Sequence, residues 1–272
     1  MSTFLLYHPR SRPTGRDVAK ALGIPSGKHL PRRNYAIFSQ IIRWGNAENI
    51  PALYCQNGSF RFRAEINPRA AVAVASSKLR ALKAMQAAGV PVPRFSSTGQ
   101  GLNFPLFGRS YRHCRGLDIR LIRDEFELRT RAECDYYVEY IEPHKEYRIH
   151  VFKGNIIIPQ KKYFSEGYLS EKENSEEIWA DAQLIRNDEH GWRFYEMKDA
   201  NNVPEAVRNA SISAVDALGL DFGAVDVISY GRDENGKRKA AVLEINTAPG
   251  LMQANINIYA DNFRRCTELL AN

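Results

Sequence analysis

The stretch of sequence that decides the fold is VLEINTAPGL, residues Val242–Leu251. Its apolar start is typical of a buried strand, yet it runs into Glu244 and Asn246 before the turn residues Pro249 and Gly250. Because side chains alternate along a strand, the acid and the amide point to the same face. Polar groups are costly to bury without partners, so the pair indicates a binding site at the end of this strand.

A second apolar segment also carries an acid, and it lies directly upstream. Phe222–Tyr230, FGAVDVISY, contains Asp226, and a polar linker with an Asn-Gly reversal signal joins it to Lys239–Asn246. The two segments are predicted to be neighbouring antiparallel strands. Side chains that face each other on such strands have Cβ atoms about 5 Å apart, so Asp226 and Glu244 are expected to converge.

The chemistry of this set points to a divalent cation. Asp226, Glu244 and Asn246 offer three oxygen ligands, two of them anionic, and oxygen-only sets of this kind suit Mg²⁺. Two adjacent carboxylates without a cation would repel each other. The alternative is that both carboxylates pair with Lys or Arg side chains on the sheet surface.

The order AVDVIS…VLEINTAPGL resembles the C-terminal metal-binding signature of the ATP-grasp superfamily, in particular its ribosomal-protein-S6 glutamate ligase-like and D-alanine–D-alanine ligase-like group. The resemblance implies ATP and one or two Mg²⁺ ions, or Mn²⁺, as cofactors. It implies that Asp226, Glu244 and Asn246 bind the metal between the nucleotide phosphates. It also places the turn at Thr247–Leu251 beside the acceptor or acyl-phosphate site.

The segment Tyr137–Gly154, YVEYIEPHKEYRIHVFKG, resembles the family's hinge. The resemblance implies that Glu146 holds the ribose hydroxyls. It implies that adenine is bound by the backbone of four consecutive residues: Glu139, Tyr140, Ile141 and Glu142. The alternative is an amphipathic strand pair with exposed acids.

Two upstream cations match family positions that contact the nucleotide phosphates. Lys78 opens a predicted helix over 76–88, where a cation and a helix N-terminus act together on an anion. Arg109 stands where the family usually has Lys, before a loop that is poor in glycine. Arg binds phosphate bidentately. The alternative for Lys78 is a solvated surface side chain, and the roles of the loop residues stay open: Arg112, His113 and Arg115.

By the same resemblance, the transferred phosphoryl group and the transition state face a further set: Arg148, Lys161, Lys162, Arg186 and Asn187. Lys161 and Lys162 alternate on a predicted strand, so only one of the two can face inward.

The resemblance implies the fold class α+β, the ATP-grasp fold, in which two α+β subdomains sandwich the nucleotide. We expect a small α/β N-terminal domain over 1–68, a central subdomain over 69–135 and a C-terminal subdomain over 136–272. The resemblance spans about 67–255. Another helix is predicted over 203–218, and a hairpin turn is predicted at 153–155. The polar segment 164–200 is predicted to consist mainly of loops.

The composition is that of a folded globular protein. The 272 residues are 44% hydrophobic and 25% charged, without an apolar run near the roughly 20 residues of a membrane span. The N-terminus is too short and too soon charged for a signal peptide, and the four cysteines lack the C-x-x-C spacing of a zinc site. These features predict a cytoplasmic protein without membrane association.

The formal net charge is +7, and basic residues cluster in the first 33 residues as a solvated face or a docking surface. This balance slightly favours an acidic substrate. The expected partner is a small-molecule amino acid or peptide, or a protein terminus, and a nucleic acid is not expected. The sequence does not determine the oligomeric state.

The resemblance implies a carboxylate–amine ligase that forms an amide bond through an acylphosphate and releases ADP and phosphate. Two alternatives stay open. One is a phosphotransferase on the same scaffold with a hydroxyl acceptor, and the other is a non-catalytic nucleotide-binding interaction protein.

Overall fold

The computed structural model describes residues 2–31, 37–56, 58–111, 119–130, 134–165 and 184–269. Its helices are α1 Arg12–Leu22, α2 Arg69–Ala75, α3 Lys78–Ala87, α4 Glu125–Thr130, α5 Glu205–Ala217 and α6 Gln253–Leu269. The first strands are β1 Thr3–Tyr7, β2 Ser26–Gly27, β3 Gln40–Trp44, β4 Leu53–Gln56, β5 Ser59–Phe62, β6 Ala64–Ile66, β7 Phe95–Ser96 and β8 Leu106–Arg109. The others are β9 Arg120–Ile122, β10 Tyr136–Glu139, β11 Lys145–Phe152, β12 Asn155–Phe164, β13 Trp192–Glu196, β14 Phe222–Arg232 and β15 Arg238–Asn246.

The N-terminal part is a parallel sheet in the order β2-β1-β3-β6. Every residue of β3 is buried, as expected for a parallel strand that is covered on both faces. Helix α1 ends at Gly23, whose φ of 70° supplies the left-handed conformation that closes the helix. The β4–β5 hairpin forms a separate two-stranded sheet.

A small antiparallel sheet follows, in the order β7-β10-β8-β9. Its core contains Leu106, Ile122, Leu128 and Tyr137. Strand β10 lies just after the predicted boundary at 135/136, and it pairs with β7 and β8 inside this sheet.

The third sheet is antiparallel, has the order β13-β12-β11-β14-β15 and is called the large sheet below. The predicted hairpin turn between β11 and β12 is confirmed, because Lys153 and Gly154 both have positive φ, at 44° and 74°. Valines of β14 pack with the buried stripe of α5 on one face of this sheet. The predicted stripe on that helix segment is confirmed, since all of its members are buried: Val203, Val207, Ala210, Ala214 and Leu218.

Asn67 connects the N-terminal part to the large sheet. It is fully buried and has a φ of 59°. Its backbone N–H donates to Asp221 Oδ2 over 2.6 Å, and its Nδ2 donates to the Phe222 carbonyl over 3.0 Å. Its Oδ1 accepts from the backbone N–H groups of both partners, at 2.8 and 3.0 Å. One side chain therefore fixes where β14 begins relative to the end of β6.

The structure differs from the sequence prediction in the segment that was expected to be loop-rich. Part of it, Trp192–Glu196, is strand β13, which pairs with β12. Helix α4 was also not predicted. Residues 166–183 and the loop residues Arg112, His113 and Arg115 lie outside the described ranges. Across the ranges that the structure covers, no helix combines the length and apolar character of a membrane span.

Candidate active site

Three charged residues form one row across the large sheet. Arg148 on β11 is the register partner of Asp226 on β14, and Asp226 is in turn the register partner of Glu244 on β15. The predicted convergence of the two acids is therefore confirmed. We call these three residues the site row, and the face of the sheet that carries them the site face. Asn246, two residues along, donates from Nδ2 to Glu244 Oε1 over 3.3 Å.

Each carboxylate in the row has a cationic partner. Arg148 grips Asp226 through two parallel bonds, Nε to Oδ1 at 2.7 Å and Nη2 to Oδ2 at 2.8 Å. Lys78, the first residue of α3, places its Nζ 2.6 Å from Glu244 Oε2. The ion pairs that the sequence left open as the alternative to a metal site are thus present. The Lys78–Glu244 contact itself was not predicted.

The electrostatics keep this centre charged. Burial alone raises the pKa of Glu244, but the charges of Lys78, Arg109 and Arg148 outweigh that effect and lower it to about 2. Burial of Arg148 favours its neutral form and lowers its pKa. The charge and the hydrogen bonds of Asp226 outweigh this effect, so the pKa of the guanidinium rises. Glu244 is consequently an anion at neutral pH. The three cations that stabilise its charge, Lys78, Arg109 and Arg148, are residues that were predicted to face the phosphates.

The donor set suits a hard divalent cation. Because the amide of Asn246 donates through nitrogen, its Oδ1 is available as a ligand next to the oxygens of Asp226 and Glu244. A carboxylate accepts about four hydrogen bonds or metal contacts, so one ion pair does not exhaust it. In the described ranges, no three His, Cys, Asp or Glu side chains lie close enough to share a metal ion. A metal held here would therefore complete its shell with phosphate or water oxygens.

A third ion pair lies two residues before Arg148 on β11. Glu146 is only 7% exposed, and its carboxylate contacts Lys162 Nζ, which also donates to the carbonyl of Arg186. Burial raises the pKa of Glu146, Lys162 opposes that rise, and Asp226 adds to it. The structure thereby places Lys162, and not Lys161, on the site face.

Phe194 on β13 is a site residue that the sequence prediction missed. Its ring lies 4.3 Å from the guanidinium carbon of Arg148 and 5.0 Å from Lys162 Nζ. A cation over an aromatic face is held electrostatically. The alternation in WRFYE could have revealed this strand, but the polar sequence around it obscured the signal.

A cavity of about 390 Å³ opens at the end of the large sheet where β11 begins and β12 ends. It is within the size range of small-molecule sites. Its lining includes four of the predicted site residues, Glu146, Lys161, Lys162 and Arg186. The guanidinium of Arg186 lies 4.7 Å from the ring of Trp192, which also lines the cavity.

The side chain of Asn187 forms its hydrogen bonds within its own loop. Its Oδ1 accepts from the backbone N–H of His190 over 2.9 Å and caps the short helical turn Asp188–His190. The structure does not bring this side chain to the site row.

The hinge segment is partly committed to backbone hydrogen bonds. The N–H of Glu139 donates to the Arg94 carbonyl, and the N–H of Tyr140 donates to the Pro105 carbonyl. The side chain of Glu139 accepts from Asn103 Nδ2 at 2.9 Å and pairs with Arg94.

Three solved structures are similar in architecture to this chain. D-alanine–D-alanine ligase from Bacillus anthracis matches with a TM-score of 0.64 at 13% identity, over 98% of this chain and 97% of that chain. The ATP-grasp ligase PsnB, complexed with a phosphomimetic variant of its minimal precursor, Mg and ADP, matches with a TM-score of 0.60 at 13% identity, over 96% and 97%. A RimK domain ATP-grasp protein from Sphaerobacter thermophilus matches with a TM-score of 0.58 at 13% identity, over 96% and 99%.

No protein-family model and no curated protein sequence matches this chain. The structural likeness nevertheless extends over nearly the whole of each chain. The chain therefore has the ATP-grasp fold.

Proposed function

We propose that this protein is an ATP-dependent carboxylate–amine ligase that releases ADP and phosphate. The observation that carries the proposal is the site row, in which Arg148, Asp226 and Glu244 face one another on an ATP-grasp fold with Lys78 in contact with Glu244. A carboxylate is a poor acyl donor at neutral pH, because its oxygen is a weak leaving group. Phosphorylation to an acylphosphate solves this problem, and an amine then displaces phosphate.

The nucleotide would lie between the small antiparallel sheet and the large sheet. Lys78 and Arg109 would bind its phosphates, and Asp226, Glu244 and Asn246 would hold one or two Mg²⁺ ions, for which Mn²⁺ is a substitute. Bound Mg²⁺ neutralises charge on phosphate oxygens and orients them for transfer. The protein supplies position and charge, and no side-chain nucleophile is required.

The base and the ribose would use the hinge. Since the N–H groups of Glu139 and Tyr140 are already bonded within the protein, the backbone of Ile141 and Glu142 would supply the donor for adenine. Glu146 would accept the ribose hydroxyls, sharing its carboxylate with Lys162.

The transferring phosphoryl group would meet the cations beside the row. Arg148 is clamped by Asp226 and supported from below by Phe194, so its guanidinium is held in place before any substrate arrives. Preorganised charge of this kind lowers the barrier because no reorganisation is needed during the reaction. Lys162 and Arg186 lie next to it at the cavity, and Lys161 would act only from the opposite face.

The substrate class that we propose is an amino acid or a peptide, including a protein terminus. PsnB was solved with its minimal precursor, so this fold accommodates a peptide substrate in at least one ligase. The net charge of +7 favours an acidic substrate.

The test is ADP formation over a panel of amino acids and peptides. Turnover should require both a carboxylate and an amine, and it should fall by orders of magnitude in Glu244→Ala. The matched control is Glu234→Ala, which removes an exposed acid from the β14–β15 turn. Unchanged turnover in Glu244→Ala would refute the metal assignment, and phosphate transfer to a hydroxyl without an amine would indicate the phosphotransferase.

One observation favours a second candidate, a non-catalytic nucleotide-binding protein. Both carboxylates of the row are already neutralised by ion pairs, as in a purely structural cluster. A ligand that binds the native state raises the melting temperature. If Mg²⁺-ATP raises it and no substrate in the panel yields ADP, the non-catalytic role is supported.

A further inference from the structure

The large sheet carries a second group of functional side chains, on the face opposite the site row. Strand alternation turns Lys145, Lys161, Tyr163 and Tyr195 away from Glu146 and Lys162. We call these four residues, together with the neighbouring His144, the outer corner. Because all five also line the cavity at the end of the sheet, the outer corner is continuous with the site face.

Within the described ranges, the outer corner carries two lysines without an acidic partner. Neither Lys145 nor Lys161 forms an ion pair with a residue in the described ranges. The pKa of His144 is lowered first by desolvation and then by four surrounding cations: Arg238, Lys145, Arg232 and Lys161. The acid that lines the same cavity, Glu146, is already paired with Lys162. An acidic ligand that reached the outer corner would meet charge of the opposite sign.

Aromatic surface is exposed at the same place. The rings of Tyr163 and Tyr195 lie 5.7 Å apart in an edge-to-face arrangement, and the two residues are 43% and 42% exposed. Exposed aromatic pairs next to unbalanced charge are typical of binding surfaces, since tyrosine offers both apolar area and a hydrogen-bonding hydroxyl.

The spacing of the two lysines suits an extended peptide that lies across the face of the sheet. Lys161 is the register partner of Tyr147, so Lys145 is its diagonal neighbour on β11. Diagonal neighbours are about 7–8 Å apart, which is close to the spacing of every second side chain in an extended chain.

We propose that the outer corner binds an extended acidic segment of the peptide substrate, with two carboxylates spaced as Glu-x-Glu on Lys145 and Lys161 and with flanking side chains against the two tyrosines. The proposal rests on the proposed function for its substrate. Docking on this face would hold the peptide beside the cavity, through which its reacting end approaches Lys162 on the site face.

The test is fluorescence anisotropy without nucleotide, using a fluorescein-labelled peptide of alternating Glu and Thr and the same peptide with Gln in place of Glu. The Glu peptide should bind, and its affinity should fall as the salt concentration rises, because exposed ion pairs are screened. The variant Lys145→Glu/Lys161→Glu should lose about tenfold or more in affinity. Lys145→Arg/Lys161→Arg should retain binding, which shows that the corner still folds.

The matched control is Arg16→Glu/Lys20→Glu on α1, which changes the net charge equally at exposed positions far along the chain. It should alter affinity by less than about twofold if the effect is local rather than due to net charge. Equal losses in the two charge-reversal variants, or equal binding of the Gln peptide, would overturn the proposal. So would a single-stranded oligonucleotide that binds more tightly than the peptide and depends on the same two lysines.

These measurements separate the two proposals. A chain that binds the Glu peptide through Lys145 and Lys161 but never forms ADP keeps the docking site and loses the ligase assignment. A chain that forms ADP with amino acid substrates but shows no lysine-dependent peptide binding keeps the ligase assignment and loses the docking site.

Discussion

Replacing Glu244 by Gln should remove its ion pair with Lys78 and the pH dependence that this pair gives to the stability of the fold. The residues concerned are Glu244 and Lys78, whose Oε2 and Nζ atoms lie 2.6 Å apart. Gln keeps the shape and the hydrogen-bonding oxygen but cannot pair with the ammonium as an anion. The variant therefore isolates the electrostatic contribution at the centre of the site row.

The magnitude follows from the pKa of Glu244, which falls from 4.5 to about 2 in the folded protein. Since a difference of one in pKa corresponds to about 1.36 kcal/mol, the ion pairing contributes at most about 3 kcal/mol at neutral pH. Lys78 is 32% exposed and Glu244 is 28% exposed, so solvent screens the pair. We expect a loss of about 1–2 kcal/mol in the free energy of unfolding.

The sign of the pH dependence is fixed by the direction of the shift. A carboxyl group with a depressed pKa stabilises the folded state above its unfolded pKa, and this contribution is lost as the pH falls from about 4.5 towards 2. The difference between wild type and Glu244→Gln should thus be largest at pH 6–7 and shrink at pH 3.

The assay is urea unfolding at several pH values, followed by tryptophan fluorescence. Glu234→Gln, at an exposed turn position, serves as the control and should follow the wild type throughout. A stability difference that stays constant from pH 7 to pH 3 would show that Glu244 is not an ionised partner of Lys78, and the electrostatic reasoning for the site would fail.

Three further changes test other parts of the structure. Phe194→Ala removes the ring beneath Arg148 and Lys162 and should lower kcat/KM for ADP formation about fivefold to thirtyfold, with Phe194→Tyr close to wild type. His150 is fully buried, and burial lowers its pKa to about 4, so the wild type should lose about 3 kcal/mol of stability between pH 6.5 and pH 4; His150→Gln should lack that loss, and identical pH profiles would contradict it. Asn67→Ala loses the side-chain bonds at the start of β14 and strains a positive φ, so chemical denaturation should show a loss of about 2–4 kcal/mol, while Asn67→Gly should lose about 1 kcal/mol less; equal losses would show that the backbone conformation is not strained.

The convergence of Asp226 and Glu244 was predictable because it follows from local patterns. Two apolar segments with a short polar linker specify an antiparallel pair, and strand alternation then fixes which side chains share a face. The stripe on α5 and the Lys153-Gly154 turn are predictable for the same reason, since each depends on a few consecutive residues.

The partners of those side chains were not predictable in the same way. Lys78 meets Glu244 only because α3 packs near the end of β15, and no local pattern encodes that distance. Phe194 was missed because its strand is short and flanked by polar sequence. The choice between Lys161 and Lys162 required the register of β12 against β11, which a single strand does not reveal.

The double clamp that Lys78 and Arg148 place on the two carboxylates has a consequence for the order in which ligands bind. A lone divalent ion would approach oxygens that already contact two resident cations, and the repulsion between like charges should make its affinity poor. A polyphosphate that accompanies the ion would give Lys78 and Arg148 further anionic partners and would offset the added positive charge. If the proposed function is right, metal and nucleotide would depend on each other for binding, because each supplies the charge that the other needs.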